Sequence, residues 1–461
     1  MTTSNPDRLR AVLSGVLFCV AASVQAAAQE SALSQDQEKA LRSLARGETI
    51  DWPGMTQVQS KALYERAERY LDFYQKYHLP HGLNADIWWH DYERTSVYRL
   101  EGVGDSAAWT GHYLAALALK CSITKDAKTR ADILAVLDKI DLLLVVSGRE
   151  GYIARYAGPA NDEGYRQYYS QYGKGEDPER PGLGKRAFKG VEPYTDLVWL
   201  GDSSRDTYDG INFGLATALV YAPDDEVSGR VKRIVERVAD RLIADSWSIQ
   251  DGKGNTTRAT PTFKAAWMRT IMTVNPEKYG HLEQEYREIC EAMSQRTSLK
   301  SPFQSEYFAN NLLFIRYSVL CALEKDAALK ESLLETLTQL FQSTRTHLNP
   351  HFAAIYAQAT ADNKNVEVQA QVQGLLIDFP EPPKFFRAVD HRKNASIEMH
   401  DDELTKYALL TRERVPSDFY WQRTPCLSHG SADLSYELPG IDVFLPYWMG
   451  RAAGVIPAPV N

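Results

Sequence analysis

Two segments of the chain crowd carboxylates and aromatic rings at the start of an apolar helical stretch. The first reads Gly104-Asp105-Ser106-Ala107-Ala108-Trp109-Thr110-Gly111-His112-Tyr113-Leu114. The second reads Gly201-Asp202-Ser203-Ser204-Arg205-Asp206-Thr207-Tyr208-Asp209-Gly210-Ile211. A helix start presents unpaired backbone N–H groups and the positive end of the helix dipole, so it suits anions and polar ligands. Repetition of the arrangement implies several helix starts gathered around one pocket. Two carboxyl groups across a pocket are what glycosidic hydrolysis commonly requires, one to protonate the leaving oxygen and one to activate water or attack. The candidates are Asp105, Asp206 and Asp209, with Glu306 at a third helix entry, Glu306-Tyr307-Phe308-Ala309-Asn310-Asn311. For Asp105 and Asp202 the competing role is helix capping, which needs no ligand. Asp206 and Asp209 lie three apart and share a helix face, so one cap cannot explain both. For Glu306 the competing role is a solvent-facing first-turn residue.

Other side chains would complete a binding site. Asn310 and Asn311 can hydrogen-bond hydroxyls. Trp88-Trp89-His90-Asp91-Tyr92 concentrates aromatics ahead of the first Gly-Asp-Ser, so Trp89 or its neighbour would serve as a stacking platform and the other as core. His90 is a candidate base, against a structural hydrogen bond to an acid. Trp109 and Trp421 add rings at a helix start and in the run Pro416–Pro425. Arg155, Arg166, Arg205 and Arg423 would clamp carboxylates, since guanidinium pairs bidentately with them. Tyr168 and Tyr208 would donate protons in a lyase or epimerase. No metal-ligand spacing and no phosphate-cradling glycine loop is present, so neither metal nor cofactor is expected.

Helical periodicity dominates the elements that must position these residues. Helices are predicted at 60–77, 109–121, 130–146, 210–221, 225–243, 262–274, 278–295, 307–323, 329–344, 352–360 and 365–376, with a last apolar helix or strand at 442–454. Those at 109–121, 210–221, 262–274, 307–323 and 352–360 are apolar nearly all round, as buried helices are. Their successors are amphipathic, as flanking helices are. The alternation predicts an all-α toroid of concentric helical rings. In it the buried helices run parallel and their N-terminal ends share one rim. The stretch 151–201 shows no clear helix, yet between Tyr152 and Tyr172 it holds Arg155, Tyr156, Tyr165, Arg166, Tyr168 and Tyr169. A long aromatic loop of this kind predicts a lid over the pocket. Residues 378–461 are irregular and proline-broken, and are expected to wrap back across the same domain.

At the N-terminus Arg8 and Arg10 precede an apolar run from Ala11 to Val24, followed by Ala26, Ala27 and Ala28. That is the layout of a secretory signal peptide over 1–28, too short for a comfortable membrane span. A single domain over 29–461 and a periplasmic or secreted location follow. No transmembrane segment is expected in the mature protein. Tyr and Trp number 25 and 9, an aromatic richness that suits stacking on sugar faces. A net charge of −8 argues against a nucleic-acid partner. Cys121, Cys290, Cys321 and Cys426 fit no zinc spacing and read as buried thiols or an unassignable disulfide.

The alternating helices with acidic starts resemble the six-hairpin, (α/α)6-barrel superfamily of glycosidases and related polysaccharide-active enzymes. Gly104–Gly111, Gly201–Gly210, Tyr307–Leu313, Pro416–Arg423 and Phe444–Arg451 also resemble a family of exported bacterial proteins, a likeness that brings no reaction with it. The wider resemblance implies the toroid, and it transfers no catalytic residue because architecture does not fix function. Together these readings point to an exported carbohydrate-active enzyme on an oligo- or polysaccharide, most simply a glycoside hydrolase. The alternatives are a uronate lyase or epimerase, an isomerase or dehydratase on a small alcohol, and a non-catalytic polysaccharide-binding protein. Mass spectrometry of the exported protein should find its first residue between Ala27 and Gln29. An N-terminus still carrying Met1 would remove the localisation.

Overall fold

The computed structural model describes residues 30–162, 187–293, 298–432 and 435–460. The expected leader and Tyr165, Arg166, Tyr168, Tyr169 and Tyr172 lie outside the described residues. The described chain is mostly helical, an all-α class. Its long helices are α1 Gln35–Ala45, α2 Gln57–Tyr77, α3 Ser106–Thr124, α4 Ala127–Val145, α5 Arg205–Tyr221, α6 Asp225–Ala244, α7 Pro261–Val274, α8 Glu283–Met293, α9 Phe308–Leu323, α10 Ala327–Thr344, α11 Pro350–Thr360 and α13 Ile441–Ala452. Between the last two, α12 is a continuous run of Val366–Gln369, a π-helical turn Ala370–Gly374, and Leu375–Ile377.

The buried and flanking roles follow the sequence pattern. Every residue from Ser106 to Leu119 of α3 and from Thr207 to Ala218 of α5 is buried. In α6 the buried residues Val227, Val231, Ile234, Val235, Val238 and Leu242 form one stripe. The buried helices pack in series: α3 on α5, α5 on α7 and α9, α7 on α9, α9 on α11, α11 on α13, and α13 on α3. Flanking helices lie against them: α4 on α3, α6 on α5 and α7, α8 on α7, α10 on α9 and α11, α12 on α11, and α2 on α13. Buried apolar side chains from Ala40 to Ile456 form one contiguous cluster.

Local chemistry sets the helix starts. Ser34 with Gln37 and Thr56 with Gln59 form capping boxes that open α1 and α2. Asp126, Asp224 and Asp326 accept first-turn N–H bonds and open the flanking helices α4, α6 and α10. The predicted helix 278–295 is divided: a short helix Pro276–Tyr279 and a 3-10 turn precede α8. The 442–454 segment is helix, not strand. Helix α1 and all the short strands escaped the periodicity, because each strand is too brief to show an alternation.

Those strands carry the site. β1 Asp86–Trp89 sits between β2 Val97–Glu101 and β10 Tyr436–Glu437, antiparallel to both, with Ile87 opposite Glu437 and Trp88 opposite Tyr436. The C-terminal segment thus pairs, through Tyr436, with a strand residue 350 positions earlier. The 151–201 stretch is not structureless. It supplies β3 Tyr156–Pro159, β4 Ala187–Lys189 and β5 Leu197–Leu200, one sheet in the order β3-β5-β4. Four further short strands pair as β6 Ser248–Gln250 with β7 Thr256–Arg258 and β8 Val389–Asp390 with β9 His429–Gly430. Among the described residues no helix is long and apolar enough to cross a membrane. Cys121, Cys290, Cys321 and Cys426 are free thiols, all but Cys121 buried.

The tightest joint is between α3 and α5. A Cβ on Gly111 would run into the Gly210 carbonyl, one on Gly210 into the Ala108 carbonyl, and one on Gly214 into the Gly111 carbonyl. Only backbone fits there. Gly111→Ala should therefore cost roughly 1–3 kcal/mol of stability by overpacking, despite Ala's better helix propensity. Urea unfolding measures it, and a variant as stable as the parent would mean the helices can separate freely.

Candidate functional site

A cavity of about 530 Å³ opens beside β1 and the C-terminal wrap. Its polar lining includes Asp86, Asp105, Asp418, Tyr436, Arg423 and a second cation, Arg414. Asp86 opens β1 and is 2% exposed. The Tyr436 hydroxyl on β10 donates to its Oδ2 at 2.5 Å. Its Oδ1 has no hydrogen-bond partner among the described residues. Gly102 follows β2 in a left-handed conformation, φ 66°, and a Cβ there would lie 2.7 Å from Asp86 Oδ2. Glycine is required at that point both for the turn and for the carboxylate's space. Burial pushes Asp86 up to about 7, and the negative charge of Asp418 adds to the rise. The Tyr436 hydrogen bond, His78 and Lys384 pull the other way. Burial thus favours the protonated carboxyl well above the ordinary aspartate range.

Asp418 is fixed on both oxygens. Arg423 Nη2 lies 3.3 Å from Oδ1 and Gln422 Nε2 3.3 Å from Oδ2. Attraction to Asp418 raises the Arg423 guanidinium, with smaller contributions from Asp105 and Asp86, so three carboxylates surround this cation. The strap carrying Asp418 is pinned from behind. Buried Lys384 pairs with buried Asp442 at the start of α13 and donates to the Ser417 carbonyl at 2.6 Å. Asp442 Oδ2 also accepts from the Tyr420 N–H at 3.1 Å.

Asp105 precedes α3, but its side chain makes no capping bond, unlike Asp126, Asp224 and Asp326. Its side chain is 43% exposed and accepts from Arg155 Nη1 at 3.2 Å. Arg155 is buried. It donates to the Gly104 carbonyl at 2.6 Å and to the Asp202 carbonyl at 2.6 Å. One guanidinium thus ties both Gly-Asp-Ser segments together. Asp202 is not a cap either: it takes φ 55°, and Ser204 caps α5.

The other candidates fall in different places. Asp206 is half-buried beside Asp105; burial raises its pKa and Asp105 adds to the rise. It stands outside the cavity lining. Asp209 is fully buried and bound by Arg316, at 3.0 Å to Nε and 2.5 Å to Nη2. Burial still pushes it up, to about 6, against the pull of Arg316. A carboxylate so engaged is not a second acid across the cavity. Glu306 is exposed on a 3-10 turn, so the cavity receives its neighbour Ser305 instead. Asn310 is closed on the Lys300 backbone at 2.8 and 2.9 Å. Asn311 is buried with Oδ1 unpartnered among the described residues.

Trp89 is core: it is 5% exposed and donates to buried Glu437 at 2.7 Å. Trp109 is buried against Phe419 and His112, with ring centroids 5.0 and 4.9 Å away. Trp421 is buried and donates to the Asp442 carbonyl at 2.6 Å. Tyr208 is buried, with its hydroxyl accepting from the Ile153 N–H at 3.1 Å, and burial pushes its phenol far up. Arg205 donates to the Arg258 carbonyl and His90 is exposed against Tyr98. The cavity thus unites Asp105 and Arg423 from the predicted set, with Arg155 behind them. It adds Asp86, Asp418 and Tyr436, which no helix-start rule could find because they sit on strands and a strap. The one available signal was position, with Asp418 inside Pro416–Arg423 and Asp86 two residues before Trp88.

Among the described residues no group of three or more His, Cys, Asp or Glu is placed to hold a metal ion. Comparison with known proteins found no matching family model, no matching curated relative and no matching solved structure. The site's reading therefore rests on its own geometry. Arg155→Met should leave two buried carbonyls and Asp105 without their donor and cost roughly 3–5 kcal/mol. Arg155→Lys should recover only part of that, since one ammonium cannot reproduce the fork. Equal stability of all three proteins in urea unfolding would show that the tie carries no weight.

Proposed function

We propose that the protein is an exported carbohydrate-active enzyme, a glycoside hydrolase, whose acid is Asp86. The observation that carries this is a buried carboxyl, its pKa raised by burial, held by Tyr436 and facing a cavity with two further carboxylates. In the forward step Asp86 gives its proton to the glycosidic oxygen as the bond to the anomeric carbon breaks. Asp105, the most exposed of the three, accepts the proton of the attacking water. Asp418, clamped by Arg423 and Gln422, does not move. Its charge keeps Asp86 protonated and stabilises positive charge building on the sugar ring.

An (α/α)6 toroid is the proposed frame. The unbroken series of helix contacts from α3 through α13 and onto α3 supports it, as does the second layer of flanking helices. So does the placement of Asp105, before α3, and Ser305, before α9, on one cavity. Export rests on the sequence of residues 1–28 alone.

The lyase or epimerase reading is weaker on two counts. Burial raises the phenols of both Tyr208 and Tyr436, so neither is a ready tyrosinate base. Arg423 is already shared among three carboxylates, and the second cation of the lining, Arg414, is committed to the Leu409, His347 and Leu348 carbonyls.

Reducing-end release from a panel of oligosaccharides tests the proposal. Asp86→Asn should keep the fold and lose at least about 100-fold in turnover, the low end for a general acid. In the parent, kcat/KM should fall as pH rises through about 7, because the acid loses its proton. Asp418→Asn removes a negative neighbour, makes ionised Asp86 less costly, and so should move that basic limb to lower pH. Full turnover by Asp86→Asn, or a basic limb that Asp418→Asn leaves in place, contradicts the assignment.

A further inference from the structure

Strand β1 alternates in function as well as direction. Asp86 and Trp88 project to one face, Ile87 and Trp89 to the other. On the second face Ile87 and Trp89 are buried, and Trp89 is bonded to Glu437. The first face is different. It carries an unbroken row of rings that starts in the cavity wall and ends in solvent. Phe386 and Tyr436, both in the wall, stand 5.8 Å apart between centroids. Tyr436 to Trp88 is 5.7 Å, Trp88 to Tyr98 is 6.2 Å, and Tyr98 to His90 is 5.2 Å.

A register shift at Trp88/Trp89 produces this row. One residue of β1 there faces two of β2, so Tyr98 and Arg99 both reach the Trp88 ring, Arg99 with its guanidinium 4.2 Å from the centroid. Charged groups run beside the rings. Arg99 pairs with Glu101 at 2.6 Å, and Glu101 lies opposite Asp86 in the ladder. Two buried polar atoms on this face have no partner among the described residues, Asp86 Oδ1 and Arg99 Nε. Tyr98 and the neighbouring Val97 are 36% and 41% exposed, in a protein that buries most of its large rings.

Single exposed rings are ordinary. A row that begins at the proposed acid and continues outward is not explained by core packing, because its outer members touch no core. Its chemistry alternates flat apolar surfaces with carboxylate and guanidinium groups. A sugar chain presents the complement, C–H faces with hydroxyls around their rims.

We propose that the β10-β1-β2 face is a binding track for the outer units of a polymeric carbohydrate whose reacting linkage lies at Asp86. The proposal rests on the hydrolase reading for the position of the reacting linkage and deepens it: the substrate is a chain, held along several units, not a disaccharide. The other occupant that an edge strand such as β2 would accept is an extended peptide, through backbone pairing.

Binding, read without turnover, tests it. The parent, Asp86→Asn, Trp88→Ala and Tyr98→Ala are titrated by calorimetry with disaccharides and hexasaccharides of the cello-, chito- and xylo- series. At least one hexasaccharide should bind Asp86→Asn ten-fold or more tighter than its disaccharide. Trp88→Ala and Tyr98→Ala should each erase most of that gain and leave disaccharide affinity unchanged. Tyr98 is surface-exposed, so its variant stays informative if loss of Trp88 harms the fold. Equal affinity for two and six units, hexasaccharide binding indifferent to both ring deletions, or no binding by any series overturns the track. So does Tyr98-dependent binding of an unstructured peptide library in place of sugars. Hexasaccharide binding without turnover by the parent would keep the track and remove the hydrolase. Turnover without length dependence would do the reverse.

Discussion

The approach of α3 to α5 is the constraint on which the site depends. At Gly111, Gly210 and Gly214 the two helices meet backbone to backbone, with no room for a single added carbon. Contact that close fixes the helices in rotation and in register. Their first residues then come out side by side, which puts Gly104-Asp105 next to Asp202. A buried guanidinium, Arg155, spans the gap and satisfies carbonyls from both. Packing therefore decides where Asp105 stands before any electrostatics act on it. The opposite wall is built by different means. The strap 416–423 has just one 3-10 turn, Tyr420–Gln422, to hold it, and the Lys384–Asp442 pair fastens it from inside. A buried ion pair is poor value as stabilisation compared with apolar packing. Here it fixes the backbone on both sides of Asp418.

The buried acids divide by what faces them. Asp209 meets Arg316, Asp442 meets Lys384 and Asp378 meets Arg412. In each a cation offsets part of the cost of burial, and the carboxylate is committed to a structural pair. Asp86 has a phenol as its direct partner and a second carboxylate as its electrostatic neighbour. Burial outweighs the pull of Tyr436, His78 and Lys384 toward its ionised form. Among the described residues Asp251 also lacks a cation, but several N–H donors from Asp202, Lys253 and Asn255 hold its carboxylate, whereas Asp86 has the one phenol, which fits the proposed role of proton donor.

The sequence made the helices legible because burial imposes a period that survives over four or five turns. The all-round apolar character of 109–121 and 210–221 and the single stripe of 225–243 each correspond to a helix in that role. Helix starts were legible too, and Asp105 does reach the cavity. The failures have one physical source. Asp209 and Glu306 were chosen by proximity to a helix start, which says nothing about a cation arriving from another helix or about which turn residue faces solvent. Arg316 lies 107 positions from Asp209. Asp86 and Tyr436 meet across a strand pair 350 positions apart, each strand only a few residues long. Pairings of that range leave no local pattern. Trp89 was chosen as a binding ring and is core instead, because the strand alternation that buries it depends on a sheet the sequence did not reveal.

The most direct measurement is a carboxyl-carbon NMR titration of the protein labelled at aspartate, with the Asp86 resonance identified by its loss in Asp86→Asn. The account predicts that this resonance titrates near 7. It also predicts a downward move in Asp418→Asn, where the negative neighbour is gone. An Asp86 carboxyl that is fully ionised by pH 5, in the ordinary aspartate range, would contradict the account at its centre, because the cavity would then hold no acid.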